Sequence, residues 1–271
     1  MKQAEAFREF EYQGWQQSVE QYHSSFGSLT NQMIDPLLKA VKTQTGTKLL
    51  DIATGPGYVA TAAHKRQCQV IGLDFSESML AKARQLNPQL EWVQGSAESL
   101  PFPDGQFDAV VMNFGILHLA EPQQAIQEAF RVLRRPGKFA FTVWDVPEKS
   151  IGLKLIYEAI QAYGDLEVSI PEGPPFFYFS QPENSINALQ KAGFTKSSIE
   201  QIDLNWQLSN ADELFDAFYK GTARTGGLLR RQSAENFENI RVAVHQKTSS
   251  YLKENQLVLP MSALIVSGEK L

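Results

Sequence analysis

The residues best suited to chemistry lie in two short stretches. The first is Lys48-Leu-Leu-Asp-Ile-Ala-Thr-Gly-Pro-Gly57, where the acidic Asp51 interrupts an apolar run and two glycines follow. Leu49, Leu50 and Ile52 read as a strand of a sheet covered on both faces, and Tyr58-Val-Ala-Thr-Ala-Ala63 reads as the opening of a helix. Gly55 and Gly57 let the backbone turn tightly between them and approach a ligand that a Cβ would push away. A carboxylate buried in such a strand is costly without partners. Asp51 is therefore expected to accept hydrogen bonds from the amides of the glycine turn or, through water, from a ligand amine. A brace that holds the loop is the competing reading.

The second stretch is Cys68-Gln-Val-Ile-Gly-Leu73, a second strand, running into Asp74-Phe-Ser-Glu-Ser-Met79. Asp74 lies about 20 residues beyond the glycines, where a carboxylate in a βαβ unit reaches ribose hydroxyls. Helix capping is its alternative role. Ser76 is the expected N-cap of the following helix, whose apolar face is Met79, Leu80 and Ala83. Phe75 and Met79 are placed to pack against an aromatic base.

The elements that must position these residues follow in order. A third strand, about Leu90 to Gln94, leads into Gly95-Ser-Ala-Glu98, and a fourth is Phe107-Asp-Ala-Val-Val-Met-Asn113. Ligands bind at strand ends in doubly wound folds, so Gly95–Glu98 and Asn113–Phe114 fall on the same rim as Gly55 and Asp74. Pro122 starts a helix with Ile126, Ala129, Phe130 and Leu133 on one face, and Arg134-Arg-Pro-Gly137 ends it before a fifth strand, Lys138–Trp144.

Residues from about 4 to 42 form a helical, aromatic arm carrying Trp15, Tyr22 and Phe26. Its aromatics either pack on the sheet or fold over the glycine turn. After Asp145 a helix over Ile151–Tyr163 precedes Ile170-Pro-Glu-Gly-Pro-Pro-Phe-Phe-Tyr-Phe-Ser180, a stiff loop too apolar to be an idle connector. It reads as a lid or pocket wall. Helices over Pro182–Ala192, Ala211–Arg231 and Ser233–Lys253 and strands over Ile199–Leu208 and Gln256–Ser267 complete the pattern.

The 271 residues suffice for a large core, and the apolar and charged fractions, 43% and 20%, are those of an ordinary globular protein. A net charge of −5 gives no general attraction for nucleic acid. The single cysteine, Cys68, cannot form an internal disulfide, and the N-terminus lacks the apolar core of a signal peptide. A reducing cytoplasm is the expected compartment. No apolar run reaches the ~18 residues of a membrane span.

With these residues in place, the chain resembles a class I S-adenosylmethionine-dependent methyltransferase, of the subgroup related to ubiquinone/menaquinone-biosynthesis enzymes. The resemblance covers about residues 45–145 and, more loosely, the stretch beyond. Its landmarks are Leu50-Asp-Ile-Ala-Thr-Gly-Pro-Gly57, Gly72-Leu-Asp-Phe-Ser76 with Met79, Gly95-Ser-Ala-Glu-Ser-Leu-Pro-Phe102, Phe107-Asp-Ala-Val-Val111 and Val132-Leu-Arg-Arg-Pro-Gly-Lys138. It implies an α/β, Rossmann-like seven-stranded sheet of order 3-2-1-4-5-7-6, the last strand antiparallel, with helices on both faces and a helical and loop cap. The organisation expected is one domain over 1–271: an arm over 1–44, a cofactor-binding core over 45–145, a region with cap insertions over 146–235, and a final helix and strand over 236–271.

The resemblance also implies S-adenosyl-L-methionine as cofactor, with S-adenosyl-L-homocysteine as product. Ala53, Thr54, Gly55 and Gly57 would surround its methionine part, with Asp51 steering the amine and Asp74 holding the ribose. Phe75 and Met79 would flank the adenine, Ser96, Ala97 and Glu98 would line its edge, and Asn113 and Phe114 would lie near the sulfonium. Many relatives have Asp where this chain has Ser96, which passes the adenine-amine contact to the backbone of Ala97 or to Glu98. The implied reaction is methylation at oxygen or carbon of a small acceptor. An apolar or aromatic acceptor suits the candidate pocket residues Trp15, Tyr22, Phe26, Phe176 and Phe177. His118 is the first candidate for a base and His23 the second, with loop support as the competing role of each. No metal is expected.

Two other readings stand beside it. Gly55-Pro-Gly-Tyr-Val-Ala60 formally fits the G-x-G-x-x-A of an NAD(P)-dependent oxidoreductase, with Asp74 at the right distance. Asp51 in the strand, Pro56 between the glycines and the later landmarks go beyond what that fingerprint requires. A protein that binds the cofactor without transferring methyl groups would carry the same binding residues.

Overall fold

A computed structural model describes residues 2–254 and 256–271; Met1 of the arm and Asn255 ahead of the last strand lie outside the described residues. Helices α1 (Lys2–Ser24), α2 (Phe26–Thr30) and α3 (Ile34–Ala40) precede β1 (Lys48–Ile52), α4 (Tyr58–Lys65), β2 (Gln69–Asp74), α5 (Glu77–Leu86) and β3 (Glu91–Gln94). Then come β4 (Phe107–Met112), α6 (Pro122–Val132), β5 (Leu133–Trp144), α7 (Ile151–Tyr163), α8 (Pro182–Ala192) and β6 (Thr195–Leu208). The chain closes with α9 (Ala211–Gly221), α10 (Arg224–Leu229), α11 (Ala234–Thr248), the two-residue β7 (Leu252–Lys253) and β8 (Gln256–Lys270).

The strands join in the order β3-β2-β1-β4-β5-β8-β6, with β7 paired to β8. From β3 to β5 the neighbours are parallel, and β8 is antiparallel to β5. This is the expected arrangement; the short β7 takes a number, so the final strand is the eighth. Parallel register sets the carboxyl ends of β1 to β4 on one rim: Asp51 lies beside Gly72 and Val111, and Asp74 beside Gln94.

Two compact units form, one of residues 30–144, 173–202 and 263–271, the other of residues 1–29, 145–172 and 203–262. In the first, Leu49, Leu50, Ile52, Val110, Val111, Met112, Phe139 and Phe141 are completely buried. Each such side chain stabilises the fold by roughly 1.5–3 kcal/mol relative to exposure. Helix α4 buries Val59, Ala60 and Ala63, and α5 buries Met79, Leu80 and Ala83. Ser76 caps α5 as expected, its hydroxyl accepting the Met79 amide at 3.3 Å.

The border between α6 and β5 differs from the expectation. Pro122 does open α6, but the helix ends at Val132 and Leu133 already belongs to the strand. Leu133 pairs with Phe107 and Lys138 with Ala109, so the residues between them bulge from the ladder. Arg134 in that bulge forms an ion pair with Asp108.

In the second unit α1 packs along α9 and α11 along α7. The fully buried Trp206 lies at its centre, with ring centroids 4.6 Å from Phe26 and 5.9 Å from Phe218. The expected helix over Ala211–Arg231 is broken at Thr222, whose backbone is extended. Its hydroxyl donates to Phe218 O at 2.7 Å and accepts the Gly226 amide at 3.0 Å, local bonds that compete with the helical ladder. Among the described residues no helix is long and apolar enough to cross a membrane.

Candidate functional site

The turn after β1 is held from three sides. Ala53 adopts a left-handed φ of 53°, Thr54 N–H donates to Leu73 O at 3.0 Å, and Gly57 N–H donates back to Thr54 O at 2.9 Å. Gly57 has φ 83°, and a Cβ there would stand 2.3 Å from the ring of Trp92 on β3. The indole therefore occupies the space a side chain would need. At Gly55, with φ 55°, a Cβ would meet only Met79 Sδ, at 4.0 Å. Met79 thus faces the turn.

Asp51 does not bond the glycine amides. Its Oδ2 accepts the Thr54 hydroxyl at 2.5 Å and the Ala60 amide at 3.1 Å. Ala60 is the third residue of α4, whose N-cap, Gly57, has no side chain to offer. Asp51 supplies the missing cap from the neighbouring strand. The Gly55 amide instead donates to Asp74 Oδ2 at 2.8 Å, because it points toward β2. The brace is thus present, and one atom is left over: Asp51 Oδ1 is buried and has no hydrogen-bond partner. A buried carboxylate oxygen without a partner is costly, and a ligand ammonium would satisfy it.

Burial pushes the Asp51 carboxyl up to about 7, against the bonds from Thr54 and Ala60. Asp74 is pushed up to about 6 by burial, opposed by the amides of Ser76, Gly55 and Phe75 and by the charge of His118. Both acids approach the neutral range, where a bound cation selects the ionised form. Asp74 Oδ1 accepts the Ser76 amide at 2.9 Å, so this carboxylate also shapes the path into α5.

Phe75 is half-buried on the same rim. In the β3 loop, Ser96 Oγ accepts the Glu98 amide at 3.1 Å and Ala97 is buried. Glu98 is also buried, and its Oε1 accepts the Glu121 amide at 2.7 Å, at the N-terminus of α6. One oxygen of that carboxylate is thus engaged at the start of the helix.

At the end of β4, Asn113 Oδ1 accepts the Thr142 hydroxyl at 2.7 Å and Asn113 Nδ2 donates to Thr30 O at 3.3 Å. Phe114 has φ 56° and stacks on Trp144 with centroids 4.0 Å apart. Left-handed backbone at a non-glycine residue costs about 1–3 kcal/mol and gathers at functional sites. Here Ala53 and Phe114 carry it at the ends of adjacent strands. His118 follows in a short turn, its ring 6.4 Å from that of Phe176, while Phe176 packs edge-on against Phe177 at 5.1 Å. Phe179 anchors the aromatic loop on Phe141, and Ser180 Oγ donates to Trp144 O at 2.7 Å.

Trp15, Tyr22 and Phe26 belong to the other unit and have packing partners there. Trp15 Nε1 donates to Glu11 Oε2 at 3.0 Å and its ring meets Tyr22 at 5.6 Å; Tyr22 stacks on Phe26 at 6.1 Å. Two site residues were not singled out in the sequence. Thr142 is a buried hydroxyl in an apolar strand, the same signal that drew attention to Asp51. Trp92 gave no such signal, because its role depends on two distant glycines, Gly57 and Gly72.

A family model described as "Methyltransferase domain" matches residues 50–141. The chain is 30% identical over 184 residues to a demethylmenaquinone methyltransferase of Clavibacter sepedonicus, covering 61% of this chain and 72% of that protein. The chain belongs to the class I S-adenosylmethionine-dependent methyltransferases of the UbiE type. Within that family it is 42% identical over 103 residues to the ubiquinone/menaquinone biosynthesis C-methyltransferase UbiE of Roseobacter denitrificans, a stretch of 35% of this chain and 41% of that protein. The matched stretch thus spans less than half the length of this relative.

Solved structures agree on the fold. A methyltransferase-like protein from Bacillus halodurans superposes with a TM-score of 0.58 at 20% identity, over 88% of this chain and 98% of that one. A phosphoethanolamine N-methyltransferase of Haemonchus contortus, solved with S-adenosylhomocysteine, gives 0.61 at 19%, over 97% of this chain and 60% of that one. The methyltransferase assignment gives the oxidoreductase reading no support.

Proposed function

We propose that this chain transfers the methyl group of S-adenosylmethionine to a small apolar or aromatic acceptor, with a ring carbon of a reduced quinone as the leading case and a hydroxyl as the second. The observation that carries the cofactor assignment is the buried, unpartnered Oδ1 of Asp51 beside a turn with open space at Gly55. The relatives named for ubiquinone/menaquinone biosynthesis C-methylation and for methylation of demethylmenaquinone support the acceptor class.

When bound, S-adenosylmethionine supplies an electrophilic methyl group on sulfur and leaves as S-adenosylhomocysteine. Asp51 receives the ammonium on Oδ1 while Oδ2 keeps its bonds to Thr54 and α4. Asp74 holds the ribose hydroxyls, Phe75 and Met79 flank the adenine, and Ser96 with the Ala97 backbone lines its edge. Asn113 and Phe114 form the wall at the reacting end. The protein's main task is to align acceptor and methyl and to exclude water, which can remove about 7–11 kcal/mol from a barrier. Phe176 and Phe177 form an apolar wall beside His118. His118 takes the proton that a ring carbon or hydroxyl gives up as its bond to methyl forms.

Calorimetric titration with S-adenosylhomocysteine, with NAD in parallel and Asp74→Ala as control, tests the cofactor. Binding of S-adenosylhomocysteine that the variant loses supports the reading, and binding of NAD alone overturns it. Transfer of labelled methyl to a reduced naphthoquinone, against phosphoethanolamine as comparator, then tests the acceptor. Label on phosphoethanolamine alone would overturn the apolar-acceptor reading.

A further inference from the structure

The fully buried Thr142 belongs to β5, yet both of its hydroxyl bonds go to the turn that ends β4. The hydroxyl accepts the Phe114 amide at 2.8 Å and donates to Asn113 Oδ1 at 2.7 Å. A hydroxyl has one proton to give, and here it is directed to Asn113, which fixes the amide orientation so that Nδ2 meets Thr30 O at 3.3 Å. The same hydroxyl holds Phe114 at φ 56°, a conformation that a bulky side chain rarely adopts unaided. The next residue is Gly115, where a Cβ would come within 2.5 Å of Ala53 Cβ. The β4 turn therefore touches the β1 turn, and a shift in one displaces the other.

We propose that Thr142 is a positioning residue for the cofactor: its hydroxyl locks the Asn113–Gly115 turn in the conformation that seats the methionine end of the ligand against the Ala53–Gly57 turn. This rests on the cofactor reading above. Valine at 142 keeps the shape and removes both hydrogen bonds, so Phe114 relaxes out of its left-handed backbone and carries Asn113 and Gly115 with it. Asp74 at the end of β2, and Phe75 and Ser96 just beyond β2 and β3, stand apart from the Thr142 hydroxyl bonds, and Asp74 meets the β1 turn through the Gly55 amide. The effect should fall on the homocysteine end.

The test titrates S-adenosylhomocysteine and, separately, adenosine into wild type, Thr142→Val, Thr142→Ala and Thr142→Ser at a temperature where all are folded. The expected result is a loss of about tenfold or more in S-adenosylhomocysteine affinity for Val and Ala, with Ser within about threefold of wild type and adenosine little changed throughout. Ala and Ser both lack the methyl group and differ only in the hydroxyl, so this pair decides the matter even if Val fails to fold. A Ser variant as weak as Ala overturns the proposal, as does adenosine affinity falling in parallel with S-adenosylhomocysteine. Wild type that binds neither compound overturns the cofactor reading and Thr142's role with it. Wild-type binding matched by Thr142→Val overturns the Thr142 assignment alone.

Discussion

The amide of Gly55 donates to Asp74 Oδ2 at 2.8 Å, so the glycine turn of β1 is fastened to the carboxylate that ends β2. Asp74 also holds the Ser76 amide at 2.9 Å, and a carboxylate has acceptor sites to spare for ribose hydroxyls. In the proposed role, ligand contact and loop geometry reside in one side chain. Asp74→Ala should lower S-adenosylhomocysteine affinity by well over about tenfold, because it removes both. Asp74→Asn, which still offers one acceptor oxygen, should fall between it and wild type. Equal affinities for the two variants in calorimetry would refute the dual role.

The pH dependence follows from the buried acids. Asp51 rises from 3.8 to about 7 on folding and Asp74 from 3.8 to about 6. A group that binds its proton more tightly when folded contributes stability at low pH and loses it as pH climbs through the folded value. Asp51→Asn cannot ionise, so it should gain stability relative to wild type as pH rises from about 5 to about 8. Chemical denaturation across that range measures the gap, and a gap that stays constant would contradict the assignment. The ligand ammonium reverses the preference: S-adenosylhomocysteine should bind wild type more tightly, with proton release, as pH rises from about 5 to about 7.

Gly57 and Gly46 separate backbone strain from close packing. Both have left-handed φ, 83° and 82°, but a Cβ at Gly57 meets Trp92 at 2.3 Å while one at Gly46 meets nothing within 4 Å. Gly46→Ala should cost about 1 kcal/mol, from backbone conformation alone. Gly57→Ala should cost more by roughly 1–3 kcal/mol, because Trp92 must move. Paired denaturation curves measure the difference. S-Adenosylhomocysteine binding should fall only for Gly57→Ala.

The aromatic loop is the proposed wall of the acceptor site. Phe176 packs against His118, and Phe177 against Phe176. Phe177→Ala should raise the acceptor KM severalfold and leave S-adenosylhomocysteine affinity unchanged. Steady-state kinetics with a reduced naphthoquinone tests this, and unchanged turnover at every acceptor concentration would remove the loop from the acceptor site.

His118→Asn preserves the size and polarity of the side chain but not its basicity. The variant should lose most of kcat while binding S-adenosylhomocysteine as wild type does. If kcat survives, His118 is a loop support. Asp74 should then respond in one direction only: without the charge of His118, the Asp74 carboxyl rises further.

The amino-acid sequence by itself determined the sheet and the ligand-facing rim. Apart from Asp51 and Thr142, Leu49 to Ile52, Val110 to Met112 and Phe139 to Trp144 are apolar runs suited to a doubly covered sheet, and the glycines between β1 and α4 specify a tight turn. These are short-range signals, written within a few residues of one another. Tertiary structure decided which carboxylate meets which amide. Asp51 bonds Thr54 and Ala60 while Gly55 turns to Asp74, an exchange set by the direction of amides once β1 and β2 lie side by side. It also decided that Glu98 caps α6, that Thr142 reaches across to β4, and that Trp92 fills the space above two glycines. Each of these joins residues far apart in the chain, and the direction of a hydrogen bond or the face of a ring is fixed only when the strands that carry them have packed.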